Sequence, residues 1–200
     1  MRPVVASLVL LTGFWTHAGE RPGRSFLWRV ESPTTTVHLL GSVHLMKADA
    51  YPLNPAIEDA FDGARALVFE VDLDLLTGAA VKLLAAGSLP EDQRLREVVS
   101  DQTWDLVESR LADLGMDVAG VQKMRPWLLA VSITSSELAR AGYAGTAGVD
   151  LHFFERAKSE GKRTIALESV DDQVGLFADL SPEEDAAFLR YTLDELDTII

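Results

Sequence analysis

Apolar and polar residues alternate over Phe26-Leu27-Trp28-Arg29-Val30-Glu31, the period of a half-buried strand, and Ser32-Pro33-Thr34 then interrupts the pattern with turn chemistry. A second strand is predicted over Thr35 to Leu40, so the two form an opening hairpin. Pro52 to Asp62 carries Leu53, Ile57, Ala60 and Phe61 at helical spacing, and Gly63 is placed to end that helix. Ala66 to Leu73 begins as a continuous apolar run and then alternates, which suits a buried central strand with an acidic far end. Glu70 and Asp72 would share one face of it, because strand side chains repeat every two residues.

The middle of the chain reads as helical. Leu75 to Ala86 is stopped by Gly87-Ser88-Leu89-Pro90, Leu95 to Val99 links onward, and Asp101 is placed to cap Gln102 to Leu114, which Gly115 closes. Val118 to Arg140 keeps a helical pattern across Pro126, which marks a new helix start at Arg125-Pro126-Trp127. A glycine-rich loop spans Gly142 to Gly148, and Val149 to Ser159 is again helical, ended by Gly161. Arg163 to Leu167 is a third buried strand, finishing on Glu168. Helices over Asp171 to Leu180 and Pro182 to Leu196 follow, the second with Ser181 as N-cap. The order predicts an α/β (α+β) fold: a mixed central sheet that opens with a β-hairpin, flanked by helices, with a helical insertion.

Composition narrows the setting. A chain of 200 residues with 48% hydrophobic content has enough apolar material for one packed domain. Its 31 acidic and 18 basic residues leave a formal charge of −13, which argues against nucleic acid as a partner. Residues 1–18 have the order of a signal peptide: Arg2, an apolar run from Val4 to Trp15, then Thr16-His17-Ala18. That run is shorter than the roughly 20 residues a spanning helix needs, so no stable membrane span is expected once it is cleaved. The remainder, 19–200, is expected to be exported to the periplasm or the outside, and without cysteine it forms no disulfide.

Candidate chemistry gathers at strand ends. Leu40-Gly41-Ser42-Val43-His44 closes the hairpin with a glycine, which reaches positive φ without steric cost and permits a tight turn, and then presents an imidazole. Glu70 and Glu168 end two further strands. Imidazole with carboxylate suits a divalent cation such as Zn, Mn, Fe or Co, although strand ends are also where polar residues simply meet water. Asp150 falls in a helix first turn, where an acid is favoured by the dipole alone. His152 points to another face of that helix and either packs there or lines the site as a metal ligand. Glu168 either lines the crevice or accepts backbone N–H groups of residues 171–173. Arg125 either orients a substrate carbonyl or carboxylate or pairs with one of the many acids.

Trp28-Arg29-Val30, Gly41-Ser42-Val43-His44, Phe69-Glu70-Val71-Asp72, Lys123-Met124-Arg125-Pro126-Trp127, Gly148-Val149-Asp150 and Ala166-Leu167-Glu168-Ser169-Val170-Asp171-Asp172-Gln173 occur together in this order. In this the chain resembles the TraB/GumN family, which is related to the TIKI metalloproteases and more distantly to erythromycin esterase and the ChaN haem-binding proteins. The resemblance implies that His44 is a metal ligand or catalytic histidine, and that Glu70 is a second ligand or the base that activates water. It implies an exported metal-dependent hydrolase of peptidase type, using Mn, Co or Zn on a peptide or small-molecule substrate, with Glu168 and Arg125 assisting. The alternative is a non-catalytic module that binds a peptide or glycan in signalling or exopolysaccharide processes, with a groove between the 142–148 loop and the helical region 75–140. The related metalloproteases carry a second Gly-x-x-His motif after a further helical region. No such motif precedes Ile200, and Gly148 to His152 is one residue too long to replace it, so the domain is expected to be incomplete at its C-terminus.

Overall fold

The computed structural model describes residues 26–199. The signal-peptide reading of residues 1–18 therefore lies outside the described residues. The strands are β1 (Leu27–Glu31), β2 (Thr36–Leu40), β3 (Ala66–Phe69) and β4 (Arg163–Ala166). The helices are α1 (Pro55–Gly63), α2 (Leu76–Ala86), α3 (Leu95–Val98), α4 (Asp101–Leu114), α5 (Val118–Val121), α6 (Pro126–Arg140), α7 (Val149–Ser159), α8 (Val170–Ala178) and α9 (Pro182–Ile199). This is a mixed α/β chain in which helix predominates. None of the described helices is long and apolar enough to cross a membrane.

β1 and β2 pair antiparallel with Trp28 opposite Leu39 and Val30 opposite Val37. Ser32 makes the turn: its backbone N–H donates to the Thr35 carbonyl at 2.8 Å, and its hydroxyl accepts the Thr35 N–H at 3.0 Å. β3 and β4 pair parallel, Ala66 opposite Arg163 through Phe69 opposite Ala166. The two ladders are separate two-stranded sheets, so the single mixed sheet expected from the pattern is divided in two among the described residues. Each alternating segment marks a strand but carries no record of its partner, which is why pattern alone joined them. One hairpin face, formed by Phe26, Trp28, Val30, Val37 and Leu39, stays 47–69% exposed.

Two cores organise the helices. The larger joins Leu95, Trp104, Val107, Leu111, Leu129, Ile133, Leu189 and Leu196, so α4, α6 and α9 close on one another around α3. The smaller is built from Phe61 of α1 and Val149, Phe153 and Ala157 of α7, with Leu40, Val43, Leu67 and Phe69 packed against it. It holds the end of β2, the end of β3 and the start of α7 in one place, the arrangement on which the site depends.

Local signals explain most boundaries. Gly115 has φ +65° and closes α4, with the Met116 N–H donating to the Leu111 carbonyl at 2.9 Å. Pro126 opens α6 at its first position. The N-cap of α4 is Ser100 and not Asp101: the Ser100 hydroxyl accepts the Thr103 N–H at 3.1 Å, while Asp101 pairs with Arg96. β3 stops at Phe69, short of the alternating run, so Asp72 does not share a strand face with Glu70. Its carboxylate instead accepts the Asp74 N–H at 3.0 Å and caps the 3-10 turn Leu73–Leu75. Gly41 is not among the described glycines with positive φ, which are Gly115, Gly142 and Gly161. Its smallness matters for another reason: a Cβ there would lie 3.1 Å from the Phe26 Cβ, across the backbone bond from the Gly41 N–H to the Phe26 carbonyl.

Candidate functional site

The segment after β2 is strapped to the loop before α7. Met46 and Ala144 exchange backbone hydrogen bonds, and the Val149 N–H donates to the Val43 carbonyl at 2.8 Å. The opening turn of α7 thus spends one of its unpaired N–H groups on the residue next to His44. Gly148 makes this approach possible, since a Cβ there would sit 2.8 Å from Asp150 Oδ1, 2.9 Å from the His44 carbonyl carbon and closer still to its oxygen.

Asp150, in the first turn of α7, accepts a hydrogen bond from His44 Nδ1 at 2.5 Å. The carboxylate is mostly buried, its side chain 16% exposed, whereas the His44 side chain is 63% exposed. The ring therefore stands on a buried support with its far side open. The Asp150 hydrogen bond raises the His44 pKa above its ordinary 6.5; partial burial opposes this, and the charges of Asp150 and Glu70 add to it. Burial alone would raise the Asp150 carboxyl, but the hydrogen bond from His44 and those from the Leu151 and Asp150 backbone outweigh it, so its pKa lies below 3.8.

On the open side, His44 Nε2 lies 3.9 Å from Glu70 Oε2. That is too long for a direct hydrogen bond and short enough for one intervening atom to contact both. Glu70 follows β3 directly. The Glu168 N–H donates to the Glu70 carbonyl at 2.8 Å, which carries the parallel ladder past β4 and sets the two acids on neighbouring strand ends. The Glu168 carboxylate accepts a hydrogen bond from the Gln173 side-chain amide. The backbone N–H of Asp172 is taken instead by the Ser169 hydroxyl, which caps α8.

His44, Glu70 and Glu168 are thus brought to one end of the fold, while the side chains of two other candidates are engaged with other partners. The His152 ring packs against Tyr51 at 4.7 Å and Phe153 at 5.1 Å between centroids. Its Nε2 is buried without a hydrogen-bond partner, and desolvation, with the nearby Arg156 charge, lowers its pKa. Arg125 spends all three guanidinium nitrogens on the helical side of the molecule, on Asp185 at 2.8 Å and on the carbonyls of Ala178 at 2.8 Å and Leu180 at 3.1 Å. Asp150 stands in the first turn of α7, where the sequence placed it, but its pairing with His44 is what the sequence did not suggest. Its available signal was Gly148, a glycine where a helix usually has Ser, Thr, Asp or Asn, which marks close backbone approach.

The sequence pattern of the TraB/PrgY/gumN family matches residues 26–199, all of the described residues. The chain belongs to the TraB/PrgY/gumN family. Among similar proteins are the uncharacterised protein YbaP of Escherichia coli (strain K12), 24% identical over 156 residues, and its counterpart in Shigella flexneri at the same identity. A further one, an uncharacterised protein of Treponema pallidum (strain Nichols), is 20% identical over 166 residues. These matches cover 78% and 82% of this chain but 56% and 49% of the relatives, so this family member spans about half their length. No solved structure matches the chain. Within the family pattern, the described site is the His44–Asp150 pair with Glu70 facing it.

Proposed function

We propose that the protein is an exported, metal-dependent hydrolase that cleaves peptide bonds at the end of the fold where His44 and Glu70 meet. The observation that carries this is the 3.9 Å separation of His44 Nε2 and Glu70 Oε2 on the open side of a buried support. Two metal–ligand bonds of about 2.1 Å at a tetrahedral angle set their donors about 3.4 Å apart, so a shared divalent cation of the Mn, Co or Zn class would require this pair to close by about 0.5 Å. Among the described residues, no group of three or more His, Cys, Asp or Glu side chains is arranged to hold a metal ion, so His44 and Glu70 would supply only two ligands of the set. When bound, a divalent cation polarises the scissile carbonyl as a Lewis acid.

The chain's own residues divide the remaining work. His44 is held by its Nδ1, so its reacting nitrogen does not have to be ordered when substrate arrives. Glu168, exposed beside Glu70 on the neighbouring strand end, takes a proton from the attacking water and returns it to the leaving amine. The exported location rests on the order of Arg2, the apolar run Val4 to Trp15 and Ala18.

The test uses the full-length protein, stripped with chelator and titrated with Mn, Co and Zn in turn. Binding is read by calorimetry and turnover with a fluorogenic peptide mixture. A metal-dependent rate that falls at least about 100-fold in His44→Ala and Glu70→Gln is expected. A wild-type protein that binds none of the three metals, with His44→Ala leaving every property unchanged, removes the proposal. Cell fractionation checks export, and recovery of the unprocessed chain in the cytoplasm refutes that part.

A further inference from the structure

The metal-ligand reading gives His44 a task without saying what orients it. We propose that Asp150 is a positioning residue that holds the His44 imidazole with its hydrogen on Nδ1, so that Nε2 presents a lone pair toward Glu70. An ionised carboxylate only accepts hydrogen bonds, so the ring nitrogen 2.5 Å from Asp150 Oδ2 must be the donor. A neutral imidazole carries one N–H, and placing it on Nδ1 leaves Nε2 as the acceptor or ligand. Nε2 is also the nitrogen that faces Glu70.

The support is built to be stiff. Asp150 rides on α7, whose Val149, Phe153 and Ala157 are buried in the smaller core. The residue preceding His44 is pinned to the same turn through the Val149 N–H, and Gly148 lies against the His44 carbonyl. Backbone and side chain of residues 148–150 therefore grip His44 from two sides. Plain helix capping does not account for this: α7 has no side-chain cap at Gly148, and one carboxylate oxygen of Asp150 is committed to a residue 106 positions away. A histidine that serves as ligand needs its second nitrogen held in this way, and loss of such a partner weakens metal binding about 10–100-fold.

The inference rests on the metal reading only in its consequence for affinity, so the experiment has two arms. In the first, chelated metal-free protein is studied by long-range proton–nitrogen NMR at a pH of about 9, where imidazoles are neutral, with His44→Ala assigning the signals. Wild type is expected to show a pyrrole-type Nδ1 and a pyridine-type Nε2 at His44. Asp150→Ala is expected to lose that bias, and so is the isosteric Asp150→Asn, whose amide can present either a donor or an acceptor. An Nε2–H ring in wild type, or an unchanged Nδ1–H ring in both variants with backbone spectra intact, overturns the proposal. In the second arm, Zn or Mn alone is titrated into wild type and the variants, with about 10–100-fold weaker binding expected in the variants. Tautomer loss in the two variants, together with a wild type that binds no metal, leaves the positioning role standing and removes the metal reading. Equal metal affinity in all three proteins with an unchanged tautomer does the reverse.

Discussion

Replacing Gly148 by alanine tests the close approach on which the site is built. The backbone conformation is not at issue, because Gly148 has φ −59° and ψ 140°, which alanine adopts freely. Space is the issue. The added methyl would lie 2.8 Å from Asp150 Oδ1, 2.9 Å from the His44 carbonyl carbon and closer still to the His44 carbonyl oxygen, and two of those three atoms are backbone. Relief requires the turn at 148–150 to move away from 43–44, against the Val149 to Val43 hydrogen bond. Forcing an extra methyl into packed surroundings costs roughly 1–3 kcal/mol and losing one backbone hydrogen bond roughly 0.5–1.5, so a total near 2–4 kcal/mol is expected. Urea unfolding of metal-free protein measures it, and a chain of this size should also lose roughly 2–4 °C in Tm per kcal/mol. Gly63→Ala is the control: no atom lies within 4 Å of a Cβ there, so it should be neutral or slightly stabilising. If Gly148→Ala unfolds at the same urea concentration as Gly63→Ala and the His44 ring signals do not move, the close-approach argument is wrong.

Three further outcomes follow from the same structure. Asp185, 3% exposed, accepts the Trp127 N–H at 2.5 Å and pairs with Arg125, so Asp185→Ala should cost about 3–5 kcal/mol in urea unfolding. Lys82→Ala, at an exposed pair with Asp171, should cost under about 1 kcal/mol, and similar costs for the two would refute the distinction. Leu111→Ala, fully buried between helices, should lose about 2–5 kcal/mol, while Leu84→Ala, 56% exposed, should stay within about 0.5. In metal-free protein, the stability that wild type holds over Asp150→Ala should vary with pH. His44, raised above 6.5, contributes fully below that value, and its share is lost as pH climbs through its folded-state pKa. Asp150, depressed below 3.8, contributes above that value, and its share is lost as pH falls through its folded-state pKa. The difference should therefore be largest between about pH 4 and 6.5; a flat difference across urea titrations from pH about 3 to 9 would contradict the pairing.

What could be read in advance follows the range over which each signal acts. Helix α7 was legible to the residue because Gly148, the spacing of Leu151, Phe154 and Ala157, and Gly161 all lie within one element. The break between α5 and α6 was legible because Pro126 removes a donor wherever it stands. Asp101 was misplaced as a cap because its pairing with Arg96 leaves the role to Ser100, and pattern does not rank two adjacent capping residues. The strand over residues 66–73 was read too long, since a strand ends where its partner ends, and β4 stops at Ala166. The alternating code says which face a residue takes but not which distant segment it meets. For that reason His44 and Glu70 could be named, while the hydrogen bond from His44 to Asp150 could not.

That hydrogen bond joins residues 106 positions apart, and this separation sets a schedule. At synthesis rates of about 5–20 residues per second, Asp150 emerges roughly 5–20 s after His44. The β1–β2 hairpin needs only its own residues and pairs within microseconds, but two strands alone are marginally stable, so for most of that interval His44 follows a hairpin that forms and opens without the Asp150 partner. The parallel pair β3–β4 waits on the same late segment, since α7 and β4 are adjacent in the chain. The site therefore waits for the segment that carries α7 and β4, and a chain interrupted before it carries the histidine without the geometry that gives it a use.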